Sequence, residues 1–126
     1  IHSNGKLGVL VGMVNTSGTD VEEAGKDVAM QIAAMNPLAV DANSIPAETI
    51  ERERAIVVDT MKADPKMAGK PDEMIAKIAE GKLNAFFKEN TLLAQAFVKD
   101  GGITVEAYLK SAGNVTVTEF KRVALG

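Results

Sequence analysis

The sequence predicts an α+β fold: a small, mostly antiparallel sheet covered by helices, with a helical (coiled-coil) hairpin inserted mid-chain. Three observations predict it. Apolar, β-branched stretches stand near the two ends of the 126-residue chain, at 7–14 and 115–125. Between them, apolar residues recur mainly at helical spacing. The central third carries two such stripes joined by a short linker rich in proline and glycine, the pattern of two antiparallel helices.

Residues 7–14 run through Leu7, Val9, Leu10, Val11, Met13 and Val14 without a charge, as expected of a strand covered on both faces. Gly5, Gly8 and Gly12 interrupt it, and glycines in a strand mark bulges or close backbone approach. Thr19 and Glu22 match a capping box that opens the first helix. Val21, Ala24, Val28, Ala29, Ile32 and Ala33 form its apolar stripe. Asn36 and Pro37 end it, and 38–40 reads as a short edge strand. Pro46 suits the start of a second helix over 47–61, with Ile50, Val57 and Met61 on a seam that Arg54 interrupts. A third helix over about 72–87 carries Ile75, Ile78, Ala79, Leu83 and Phe86, so the hairpin occupies about 46–88. Residues 91–98 return to extended or core-packing character, and 99–102 is a turn. Thr104 caps a short helix bearing Val105, Tyr108 and Leu109, which stops at Gly113. The last stretch alternates with Val115, Val117, Phe120 and Val123 as its apolar set. Its phase slips after Val117, which places a bulge near Thr118 and allows this strand to pair with the first.

The length is that of one domain, and 46% apolar with 25% charged residues is ordinary for a globular chain. No apolar run approaches the ~20 residues of a membrane span. The chain starts at Ile1, not Met, so the lack of a signal peptide carries no weight. Net charge is −3, with fourteen basic residues scattered among seventeen acidic ones, and there is little aromatic surface for stacking bases. Nucleic acid is therefore not an expected direct ligand. The absence of cysteine removes disulfides, thiolate metal sites and thiol nucleophiles, and fits a cytoplasmic address. His2 is the one histidine, near a chain end, so neither a histidine-based triad nor a histidine metal site is expected. The opening glycines precede a strand and lack the P-loop pattern, which gives them a structural reading. Glu22 and Glu23 suit a first helical turn, and Glu51, Arg52, Glu53 and Arg54 read as a solvated helix face. Met61, Met67 and Met74 cluster near the hairpin tip, where they serve either as core or as an adaptable binding surface. No nucleophile, base and orienting group can be assembled. The residues lead to a binding module, without catalytic, cofactor or metal residues.

Residues 1–11, with Ile1, His2, Gly5, Lys6, Leu7, Gly8, Val9, Leu10 and Val11, resemble the I-H-x-x-G-[KR]-[ILV]-G-V-L-[IV] strand of the elongation factor Ts family. The run from Asp27 to Ala34, followed by Pro37, resembles its D-[IV]-A-M-x-[IV]-A-A…P segment. Glu80, Gly81, Lys82, Leu83 and Phe86, then Leu92, Gln95, Phe97 and Val98, resemble E-G-[KR]-[LM]-x-K-[FY] and L-x-x-Q-x-F-[IV], with Ala85 where lysine is common. Residues 115–125 resemble the closing core strand. The resemblance runs in family order over nearly the whole chain and implies a single C-terminal core domain over 1–126 with the hairpin inserted. It implies guanine-nucleotide exchange on elongation factor Tu, with this half contacting the C-terminal β-domain of Tu, and self-association in some members. The family's T-D-F-V motif, which acts near the magnesium site of Tu, is absent from this sequence, and so is its small N-terminal helical domain. Carried over by position, His2, Asn4 and Gly5 are the expected Tu contacts. The hairpin positions Ile75, Ile78 and Phe86 are the candidate surface for a homodimer.

Overall fold

The computed structural model describes residues 6–15 and 21–125, with the backbone alone at 6, 7, 15, 124 and 125. Strand β1 (Lys6–Asn15) pairs antiparallel with β4 (Val115–Leu125), so the first and last described elements of the chain close on each other. The register slips between Gly12 and Met13: Gly12 faces Glu119, while Met13 faces Val117. Thr118 is the extra residue, and the bulge falls where the sequence phase slips.

That bulge decides which side chains reach the core. Val115 and Val117 are buried, and Phe120 continues their face. Val123, expected to join them, is instead exposed, while Arg122 turns inward and its Nη2 donates to the Ala33 carbonyl at 3.4 Å. A cation at the last turn of the helix that contains Ala33 complements that helix's dipole. On β1, Val9, Val11 and Met13 pack inward. On the other face Leu10 is 71% exposed, so the described residues cover the strand on one side only.

Helix α1 (Glu22–Met35) lies on the inner face through Ala24, Val28 and Ile32. Gly25 faces the sheet, where a Cβ would meet Met13 Sδ at 3.6 Å, an ordinary contact. Val21 precedes the helix without a side-chain cap; the expected capping residue Thr19 lies outside the described residues. Asn36, in the left-handed region at φ 47°, ends the helix and donates its N–H to the Ile32 carbonyl. The 38–40 segment forms a single parallel bridge, Ala39 to Thr91, in place of an edge strand. Leu92 and Leu93 donate back to the Ala39 and Val40 carbonyls at 2.9 and 3.0 Å before the chain turns away.

Helices α2 (Ala47–Ala63) and α3 (Asp72–Asn90) run antiparallel, the Arg54 guanidinium pairing with Glu80 across them while Met61 packs on Ile75 and Ala79. Both helices run beyond their expected ends, by two and three residues. Strands β2 (Ala96–Phe97) and β3 (Asp100–Thr104) form a second antiparallel pair, so 100–102 is strand where a turn was expected. Thr104 Oγ1 accepts from the Ala107 N–H and caps α4 (Val105–Ser111). The free N–H groups of Val105 and Glu106 donate to the Gln95 and Leu93 carbonyls, which satisfies the helix start. Gly113, at φ 110°, turns the chain into β4. The main core is a cluster in which Val28, Ile32, Leu92, Phe97, Val105, Leu109, Val115 and Val117 meet, separate from the small hairpin cluster of Met61, Ile75 and Ala79. The architecture is α+β, with four α-helices and two small antiparallel sheets among the described residues.

Candidate functional site

The expected partner contacts His2, Asn4 and Gly5 lie outside the described residues. What the structure describes is the platform they lead into: β1 from Lys6, paired at once with Leu125. The three hairpin candidates are brought together on one helix but differ in access. Ile75 is buried against Met61 and Ala79, and Ile78 packs partly on the same cluster. Phe86 is half-buried near the base of the hairpin, its ring edge-on to Phe87 at 5.9 Å. Of the methionines, Met61 is buried, Met67 packs on it, and Met74 is exposed with Ile56. Arg54, which breaks the apolar seam of α2, reaches Glu80 and also lies 3.6 Å from Glu51. It is a cross-hairpin tie, more than a solvated charge.

A polar network joins α1 to the β2–β3 pair and α4. Asp27 and Gln31 lie one turn apart on α1, both buried. The Asp27 carboxylate accepts from Tyr108 Oη at 2.5 Å and from Lys99 Nζ at 2.9 Å. Burial opposes its charge, but the Tyr108 hydroxyl and the Lys99 ammonium outweigh that and hold the carboxyl below its ordinary value. The same bond keeps Lys99 protonated to higher pH. Burial, then the bond to Asp27, raises the Tyr108 phenol. Gln31 Nε2 donates to Gln95 Oε1 (3.1 Å) and the Ala96 carbonyl (3.0 Å), and its Oε1 accepts from the Val98 N–H (2.8 Å). Gln95 Nε2 donates to the Glu89 carbonyl at 2.8 Å. The Tyr108 ring stacks on Phe97 with centroids 4.2 Å apart.

Sequence reasoning from the residues missed this network. Its signal was present: two polar residues, Asp27 and Gln31, at helical spacing beside the apolar positions 28 and 32. Chemically, the arrangement fixes elements relative to one another. Its side-chain donors and acceptors are turned on one another, which suits positioning and leaves no activated nucleophile. Among the described residues no group of three His, Cys, Asp or Glu side chains is placed to hold a metal ion, and no helix is long and apolar enough to cross a membrane.

The comparisons with known proteins agree along the whole chain. The family described as Elongation factor TS matches residues 1–126. Elongation factor Ts from Amoebophilus asiaticus is 50% identical over 127 residues, covering 100% of this chain and 44% of that protein. Its counterpart from Cytophaga hutchinsonii is 48% identical over 126 residues, covering 99% and 44%. That from Flavobacterium psychrophilum is 45% identical over 127 residues, again covering 100% and 44%. The chain thus spans less than half the length of these relatives, and it belongs to the elongation factor Ts family.

Proposed function

We propose that this chain is the C-terminal core half of a cytoplasmic guanine-nucleotide exchange factor for elongation factor Tu. In this reading it holds the C-terminal β-domain of Tu and stabilises the exchange complex. The observation that carries the reading is the match to the family over residues 1–126 at 45–50% identity to elongation factor Ts relatives. His2, Asn4 and Gly5, at the entrance to β1, are the proposed contacts. Exchange of this kind needs no covalent chemistry: a factor that binds the nucleotide-free conformation better than the GDP-bound one shifts the population toward release. This chain lacks the T-D-F-V motif that the resemblance places near the magnesium site of Tu. It therefore supplies affinity, and it does not by itself speed GDP release.

The test is calorimetric titration into nucleotide-free Tu, paired with release of fluorescent GDP from Tu·GDP. Saturable binding, with release unchanged at stoichiometric chain, is expected. No heat at two temperatures would overturn the Tu-binding reading, and rapid release would overturn the division of labour. A second reading, self-association through the seam of Ile75, Ile78 and Phe86, has the exposed Ile56 and Met74 on the hairpin in its favour. Ile75 itself is already covered by its own chain.

A further inference from the structure

We propose that the buried amide pair of Gln95 and Gln31 is the lock of a jointed arm. The pair holds the α2–α3 hairpin at one angle to the core, and without it the hairpin swings on its two connections. The inference is independent of Tu binding and of self-association. Gln95 carries it because this one residue is bonded to three elements at once. Its side-chain Nε2 donates to the Glu89 carbonyl in the last turn of α3 at 2.8 Å, and its Oε1 accepts from Gln31 Nε2 of α1 at 3.1 Å. Its backbone N–H donates to the Thr91 carbonyl just past α3, and its own carbonyl accepts from the Val105 N–H at the start of α4. Gln31 and Gln95 are 0% and 1% exposed, so neither amide has water as an alternative partner. A buried polar pair with its partners in place fixes direction as well as distance, which an apolar contact does not.

The two connections of the hairpin are unequal. On the α3 side, carbonyls that a helix end leaves free are taken up. Phe87 accepts from the Thr91 N–H and hydroxyl, Glu89 from Gln95, and Asn90 from the Leu38 N–H at 2.7 Å. The Thr91 and Leu38 bonds stay at the root of the hairpin, whereas the Gln95 bond leads on into α1. On the α2 side, the segment 41–46 closes on itself. Asp41 accepts from the Ser44 N–H and hydroxyl, and the Ile45 N–H donates to the Ala42 carbonyl. Ile45 is the one buried side chain of that segment, and Pro46 precedes α2 without a side-chain cap. The seam of Met61, Ile75 and Ala79 forms a cluster apart from the main core, so it stiffens the arm without aiming it. Helix α3 has 19 residues. It is therefore about 28 Å long, and a swing of about 20° at its base carries the tip through about 10 Å.

Distances between two spin labels, measured by pulsed dipolar spectroscopy, test the lock. The chain has no cysteine, so Lys70→Cys near the hairpin tip and Lys110→Cys on α4 give two unique labels at exposed positions. The doubly labelled parent is expected to show one narrow distance distribution. Gln95→Met keeps the bulk of the side chain and removes the amide, and Gln31→Leu removes its partner. Each is expected to broaden the distribution by about 10 Å, with the circular dichroism of a folded chain. Tyr108→Phe breaks the neighbouring bond to Asp27 but leaves the amide pair, and is expected to keep the distribution narrow. A distribution that stays narrow in either amide variant overturns the proposal, and so does one already broad in the parent. Equal broadening in Tyr108→Phe also overturns it, because general loosening of the core would then be what moves the arm.

Discussion

Tyr108 and Asp27 stand 81 positions apart in sequence, and the phenol hydroxyl of Tyr108 donates to the Asp27 carboxylate at 2.5 Å. The bond ties the short helix α4 to the first helix, with the Tyr108 ring stacked on Phe97 of β2 between them. A buried carboxylate depends on its donors, because an unsatisfied buried charge costs more than the bond itself contributes.

Tyr108→Phe keeps the ring and its stack while removing the donor. It is expected to destabilise the fold by about 2 kcal/mol, the scale of a hydrogen bond to a charged group. Lys99→Met removes the other partner, but the Lys99 side chain is half exposed and its charge is screened by solvent, so the loss is expected to be smaller than for Tyr108→Phe. Urea unfolding of the two variants checks the order. A larger loss from Lys99→Met would mean that the ammonium, and not the phenol, holds the carboxylate.

The same network sets a pH dependence with two limbs. The Asp27 carboxyl is lowered in the fold, so the unfolded chain binds more protons just below the ordinary carboxylate range. The stability Asp27 contributes is present above that range and is lost as pH falls through its folded value. The Tyr108 phenol and the Lys99 ammonium are both raised. Their contribution is complete below about pH 10 and declines as pH rises above it, where the unfolded chain has given up protons that the fold retains. Asp27→Asn is therefore expected to flatten both limbs in a series of thermal melts across pH. A wild-type acid limb that survives this substitution would place the titrating group elsewhere.

Gly12 answers to a different constraint. A Cβ at this position would lie 2.8 Å from Thr118 Oγ1 and 3.2 Å from Glu119 Cγ, because the bulge directs two side chains over one glycine. Both obstacles are side chains that can turn, so Gly12→Ala is expected to cost only about 1 kcal/mol, and Gly12→Val more. Gly8→Ala meets nothing closer than 4.0 Å and should leave stability within about 0.5 kcal/mol of the parent. Thr118→Ala should recover part of the Gly12→Ala loss. Additivity of those two in a double-mutant cycle would show that Thr118 is not the obstacle.

Period and punctuation made most of the fold legible. The stripe of Val28 and Ile32, the Thr104 cap and the phase slip after Val117 each mark a local preference that the tertiary structure keeps. What went unread depends on partners distant in sequence. Val123 stands three positions after Phe120, so once the bulge at Thr118 has set the phase, Phe120 and Arg122 turn inward and Val123 turns outward. Leu10 looks like core in a continuous apolar run, and only the absence of a second layer among the described residues exposes it. The Asp27 and Gln31 network pairs residues 64 to 81 positions apart, beyond any window that reads periodicity. Of the site itself, the hairpin positions could be placed, whereas His2, Asn4 and Gly5 rest on resemblance.

The hairpin separates charge from packing. Leu83 is fully buried on α3, while Arg54 pairs with Glu80 at a site where both side chains are more than one-third exposed. Leu83→Ala removes buried methyl groups and leaves a cavity, so it should cost about 2–5 kcal/mol. Arg54→Ala removes a solvent-screened ion pair and should cost no more than about 1 kcal/mol, and less at high salt. Parallel urea titrations at low and high salt would check both. If Arg54→Ala proved the costlier change, the two helices would be held by their charges, and the seam of Met61, Ile75 and Ala79 would be filler. If Leu83→Ala dominates, packing sets the hairpin's stability and the Arg54–Glu80 pair only fixes its register.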